Sequence, residues 1–261
     1  MSRDDVSVDA WRAERVELAR DTPGSWVATA TGGVWFFADP DPRDVDIVAV
    51  AYGLGRRSRY SGQFDPSVGF YSVAEHSCLM AEHVRVNGMR EAALEDLLEV
   101  LLHDAPEFVL PDIATPIKNV MRPYWDPIEK VTQSAVINAF IPARDGVVIS
   151  KVAIKEVDVR IRADERSALI REPALSASRG HDKLPWIDGA PRPLGVRLRM
   201  LDPTEASLEF LEDFVRLVRD VPPRDPANDV SRNPLLARAV RDAEAHLAEM
   251  RGQEPATGPA R

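Results

Sequence analysis

Residues 96–118 read DLLEVLLHDAPEFVLPDIATPIK. The stretch begins as a helix-spaced apolar run, with Leu94, Leu97, Leu98, Leu101 and Leu102 on one broad face. Pro106 and Pro111 then end the helix. Between the two parts stand His103 and Asp104, ionisable groups that an apolar helix delivers to the core side. Burying them is costly unless something pairs with them. The dipeptide alone carries little, because His181-Asp182 repeats it after Gly180 in a polar, Pro-rich stretch. A histidine near a helix C-terminus, partnered by the next aspartate, is also an ordinary structural arrangement.

Outward from this stretch the pattern is mainly helical. Upstream, WVATATGGVWFFADP reads as two β-rich runs joined by Gly32-Gly33, a small hairpin. Ile47, Val48, Ala51 and Leu54 follow at helical spacing, and arginines close that segment. Residues 71–88 open with Ser72 and Glu75 in capping-box spacing, which accounts for Glu75, and close at Gly88. Downstream, Asp126 as N-cap with Pro127 behind it predicts a helix to about Ile141. Residues 150–170 form another amphipathic helix, and Asp202-Pro203 starts a late one. Residues 171–201 read as a long irregular segment. The expected organisation is an N-terminal arm over 1–24, a helical domain over 25–220, and a linker, C-terminal helix and disordered tail over 221–261.

Composition narrows the classes. The chain has 261 residues, is 44% apolar and 29% charged, and carries a net charge of -9, so a broad phosphate-backbone footprint is not expected. Nucleic acid polymers are therefore unexpected partners, whereas a small anion held by a few local cations fits. One cysteine, Cys78, excludes an internal disulfide and a multi-thiolate metal site. No secretory leader and no membrane-length apolar run is visible, which predicts a cytoplasmic protein. Homo-oligomerisation is left open.

Other residues join His103-Asp104. His76 lies one helix earlier, and Asp158 lies on a later helix beside the apolar stripe of Ile154, Val157 and Ile161. Two imidazoles and two carboxylates from three helices can bind one divalent transition metal and leave positions open for water.

In this order the residues resemble the H…HD…D pattern of the HD-domain phosphohydrolases. The resemblance runs from about residue 34 to about 170 and extends to the strings SVAEHS, LLHDAPEFVLPDIATPIK and IKEVD. These strings resemble the 5'-deoxynucleotidase group and the related phage-type deoxynucleoside triphosphate hydrolases. The resemblance implies a mainly α HD-domain bundle with the small hairpin at its N-terminal side. It also implies one divalent ion (Mn, Co, Zn, Fe or Ni) held by His76, His103, Asp104 and Asp158. Glu107 matches the catalytic glutamate, Arg59 and Lys118 match cationic phosphate contacts, and Asp112 matches the residue that reads the sugar hydroxyl. The implied reaction is hydrolysis at the 5' phosphate of a deoxynucleoside mono- or triphosphate. Pro106 and Leu110-Pro111 depart from the smaller residues of the pattern and stiffen the loop that carries Asp112. Two alternatives stand beside this reading: another phosphomonoester or phosphodiester on the same centre, and a metal-stabilised regulatory module without turnover. His83, Arg56 and Arg57 read as ordinary helix and helix-end residues.

Overall fold

The computed structural model describes residues 8–88, 92–142, 151–170 and 192–252. Within them the chain is mainly helical, with one two-stranded antiparallel sheet. The His181-Asp182 dipeptide lies outside the described residues.

Helix α2 (Ile47–Gly55) is the pivot. Asp46 caps it by accepting the Val48 and Ala49 N–H groups, and nearly all of its residues are buried. A helix apolar on every side must be surrounded, and α2 is. It packs on α7 (Pro203–Asp220), α8 (Pro234–Gly252), α3 (Val73–His83) and the turn at 105–108. Helix α3 packs in turn on α4 (Leu94–Leu101), α7 and α6 (Lys151–Leu169). One continuous core joins them, from Trp35 to Leu247. The hairpin pairs β1 (Trp26–Ala28) with β2 (Val34–Phe36), and Gly32 at φ +82° turns the chain between them.

The N-terminal arm contains a packed helix, α1 (Val8–Asp21). Its Trp11 indole and Arg15 guanidinium both donate to the buried Asp44 carboxylate. Segment 222–234, read as a linker, is fastened to α4. The Glu95 carboxylate accepts from the Arg224 and Asp225 N–H groups and from the Asn228 side-chain amide.

Two expectations change. The helix expected from Asp126 as N-cap starts twelve residues earlier, capped at Ala114: α5 runs Thr115–Phe140 with Pro123 and Pro127 inside it. Lys118 and Glu129, eleven residues apart, nevertheless form an ion pair. A straight helix would separate them by about 16 Å, beyond the combined reach of the two side chains, so α5 bends at its prolines. Glu75 is also more than half of a capping box. Ser72 Oγ does accept the Glu75 N–H, but the buried Glu75 carboxylate accepts the backbone N–H groups of Arg199, Met200 and Leu201 instead of reaching back. Among the described residues no helix is long and apolar enough to cross a membrane.

Candidate metal centre

Three helices bring the predicted ligands together. His76 sits in the first turns of α3 and is fully buried. His103 and Asp104 follow the end of α4, and Asp158 projects from α6. Ligand atoms of His76, His103 and Asp158 lie within 4.8 Å of one another, a group that could hold a metal ion. Asp104 borders them, its Oδ2 lying 3.8 Å from His76 Nε2 and 3.2 Å from His103 Nε2.

The outer nitrogens decide what the inner ones offer. His76 Nδ1 lies 2.5 Å from Glu165 Oε1, and His103 Nδ1 lies 2.8 Å from the Val100 carbonyl oxygen. A carboxylate and a carbonyl only accept, so each Nδ1 carries a proton. Both Nε2 atoms therefore face inward, 3.3 Å apart. Facing lone pairs at that distance repel unless a proton or a cation lies between them. With Asp158 Oδ1 at 3.8 Å from His76 Nε2 and Asp104 alongside, the donor set fits a divalent cation.

Electrostatics follow from this crowding. Burial pushes the Asp104 carboxyl up, but His103 and Arg59 outweigh it and hold it well below the usual carboxylate range. Burial likewise works against charge on Asp158, and His76 and His103 hold its carboxyl down. Asp104 in turn raises His103 against the effect of burial.

Arg59 is almost completely buried. Its backbone N–H donates to the Tyr71 carbonyl, and its Nη1 donates to Asp104 Oδ2 at 3.0 Å. Its Nε has no protein partner, an unused donor beside the cluster. Glu107 lies in the 105–108 turn, buried, with Oε2 unpartnered. Burial first, then the negative charges of Asp104 and Asp112, push its carboxyl well above the usual range. Asp112 Oδ2 accepts the Tyr60 N–H at 3.1 Å. The Lys118 ammonium is held by Glu129, a contact that the bend in α5 creates. Arg57, read as a solvated helix-end charge, instead donates from Nε to the Glu107 carbonyl. Arg56 is exposed, over the Tyr52 ring.

Sequence reasoning missed Glu165. It is fully buried and receives His76 Nδ1–H, the Tyr60 hydroxyl at 2.6 Å and the Tyr71 hydroxyl at 2.9 Å. Burial alone would raise its carboxyl; the neighbouring His76 and the Arg59 guanidinium hold it far below the usual range. Lys155 and Arg162 were missed too. They flank Asp158 on α6, with Lys155 Nζ at 2.5 Å and Arg162 Nη2 at 3.6 Å from Oδ2.

No known family profile matches the chain. Two curated proteins are similar to it, both described only as uncharacterised. One, from Rhodobacter capsulatus, is 32% identical over 203 residues, covering 76% of this chain and 97% of that protein. The other, YfdR of Escherichia coli, is 28% identical over 146 residues, covering 56% of this chain and 72% of YfdR.

Proposed function

The chain belongs to one family with the uncharacterised Rhodobacter capsulatus protein, and for it we propose a metal-dependent phosphohydrolase of the HD-domain type. Its substrate would be a deoxynucleoside mono- or triphosphate, cleaved at the 5' phosphate. One observation carries the reading: two inward Nε2 atoms and two carboxylates from three helices converge beside a buried arginine with a free donor.

His76, His103, Asp104 and Asp158 would hold one divalent transition ion, Mn, Co, Zn, Fe or Ni. Bound there, it supplies Lewis acidity towards a phosphoryl oxygen and acidifies water. Arg59 orients the phosphate and stabilises its developing charge. The partners of Asp158, Lys155 and Arg162, add positive charge at the same rim. Water attacks the phosphorus while the bond to the 5' oxygen breaks. Glu107, a carboxyl held protonated to higher pH than usual, donates its proton to the leaving oxygen, and the proton that the attacking water loses restores it by way of solvent. Asp112 accepts a hydrogen bond from the sugar hydroxyl. A regulatory module without turnover gives no account of Glu107, whose buried Oε2 has no hydrogen-bond partner and so costs stability.

The test is a panel of deoxynucleotides, with Mn, Co, Zn, Ni, Fe or Mg added, read as phosphate or triphosphate release. No turnover with any metal overturns the enzyme reading. His103→Ala is expected to lose both metal and turnover. Glu107→Gln is expected to keep metal and lose turnover by about 10²-fold or more; full activity in that variant removes Glu107 from the acid's role.

A further inference from the structure

We infer that Glu165 is a positioning residue that sets both halves of the proposed site from one carboxylate, one oxygen serving each half. Oε1 receives His76 Nδ1–H and the Tyr71 hydroxyl. Oε2 receives the Tyr60 hydroxyl and lies 3.7 Å from Arg59 Nη2. The first oxygen fixes His76 as the tautomer whose free nitrogen faces Asp158 and His103. The second holds the segment that carries Arg59.

That segment needs holding. Tyr60 and Ser61 both adopt left-handed backbone, at φ 52° and 53°, and neither is glycine. Such residues are strained and persist only where surrounding contacts fix them. Tyr60 is fixed at two points, its hydroxyl on Glu165 and its N–H on Asp112. The left-handed turn leaves Arg59 pointing to Asp104 and Glu165 rather than to solvent. Glu165 is thus the group that a metal ligand and a phosphate-binding arginine share. Partners that orient a ligating histidine typically contribute 10- to 100-fold in metal affinity.

The inference rests on the metal-centre reading, so its test is kept separate from turnover. In wild-type protein without added metal, at a pH raised until the ring signals stop changing, nitrogen NMR reports the tautomer of His76. The signal is assigned by its loss in His76→Gln. Nδ1–H is expected; Nε2–H overturns the inference without any variant. Calorimetry with Mn2+, and with inorganic phosphate on the Mn2+-loaded protein, then compares two variants. A glutamine at 165 offers one acceptor and one donor, so it can satisfy only one half. Glu165→Gln is expected to weaken Mn2+ or phosphate binding by about tenfold or more; both within twofold of wild type overturns the assignment. Tyr60→Phe removes a donor from Oε2 alone and is expected to weaken phosphate binding while Mn2+ affinity stays within twofold. Equal loss of both overturns the division between the two oxygens. Wild-type protein that binds no divalent ion defeats the phosphohydrolase reading, while the NMR result still decides whether Glu165 sets His76.

Discussion

Helix α2 approaches the turn that carries Glu107 most tightly at a glycine, Gly53, and filling it is expected to damage stability and site together. A Cβ on Gly53 would stand 2.5 Å from the Phe108 carbonyl oxygen and 2.6 Å from the Phe108 Cα. Ordinary contact begins near 3.4 Å, so helix and turn must part by roughly 0.9 Å. Both sides are backbone, and neither can swing aside as a side chain would. Overpacking of this kind costs about 1–3 kcal/mol, and the upper end suits a backbone clash. Alanine returns up to about 1 kcal/mol of helix propensity. The net loss is about 2–3 kcal/mol, which in a chain of this size lowers Tm by roughly 4–12 °C. Glu107 immediately precedes Phe108, and a displacement of this order at a reacting group costs about 10²-fold in turnover. Gly55→Ala is the control. Its Cβ would strike Ser207 Oγ and the Pro203 carbonyl on α7, away from the 105–108 turn. Circular dichroism melts of both variants, with phosphate release from the best nucleotide, separate the effects. Gly55→Ala is expected to lose Tm and keep most turnover, whereas Gly53→Ala loses both. A Gly53→Ala protein with wild-type Tm and turnover refutes the close approach as the device that seats Glu107.

Two further outcomes follow from buried carboxylates. Asp213 on α7 is raised to about 6 by burial, against the opposing Arg216 charge. The folded state therefore holds a proton that the unfolded chain releases near pH 4, and stability falls as pH rises from about 4 to about 6. Asp213→Asn removes that penalty and is expected to gain up to about 3 kcal/mol at pH 7, less the half-exposed Arg216 ion pair. Melts from pH 4 to 7 check it, and a lower Tm than wild type at pH 7 contradicts it. Glu75→Ala strips the acceptor from three backbone N–H groups at 199–201, a loss of about 2–4 kcal/mol by urea unfolding. Glu75→Gln, which keeps one acceptor oxygen, is expected to lose about half as much; unchanged stability in the alanine variant excludes the bracing role.

What the sequence made legible was local. Apolar stripes marked α2, α4 and α6, helix starts marked α3 and α7, and Gly32-Gly33 marked the hairpin, because each pattern completes itself within a few residues. The bend of α5 escaped because Asp126-Pro127 is a sound helix start in isolation. The helix nevertheless runs through it from Thr115, and the bend shows only in the distant pairing of Lys118 with Glu129. Glu75 was half legible: Ser72 lies three residues away, but the amides its carboxylate holds lie 124 to 126 residues on.

Glu165 is a different kind of miss. Asp158 stands out as an acid on the stripe of Ile154, Val157 and Ile161, where an unpaired carboxylate is disfavoured. The same stripe, continued two turns, reaches Glu165, seven residues on and on the same face. Burial demands partners of it just as firmly, and the structure supplies three hydrogen-bond donors. The two acids divide the work of one helix face. Asp158 lies at the inward nitrogen of His76, and Glu165 lies at the outward one. A second carboxylate at i+7 from an aspartate on an apolar helical stripe therefore marks where the other side of the histidine is held.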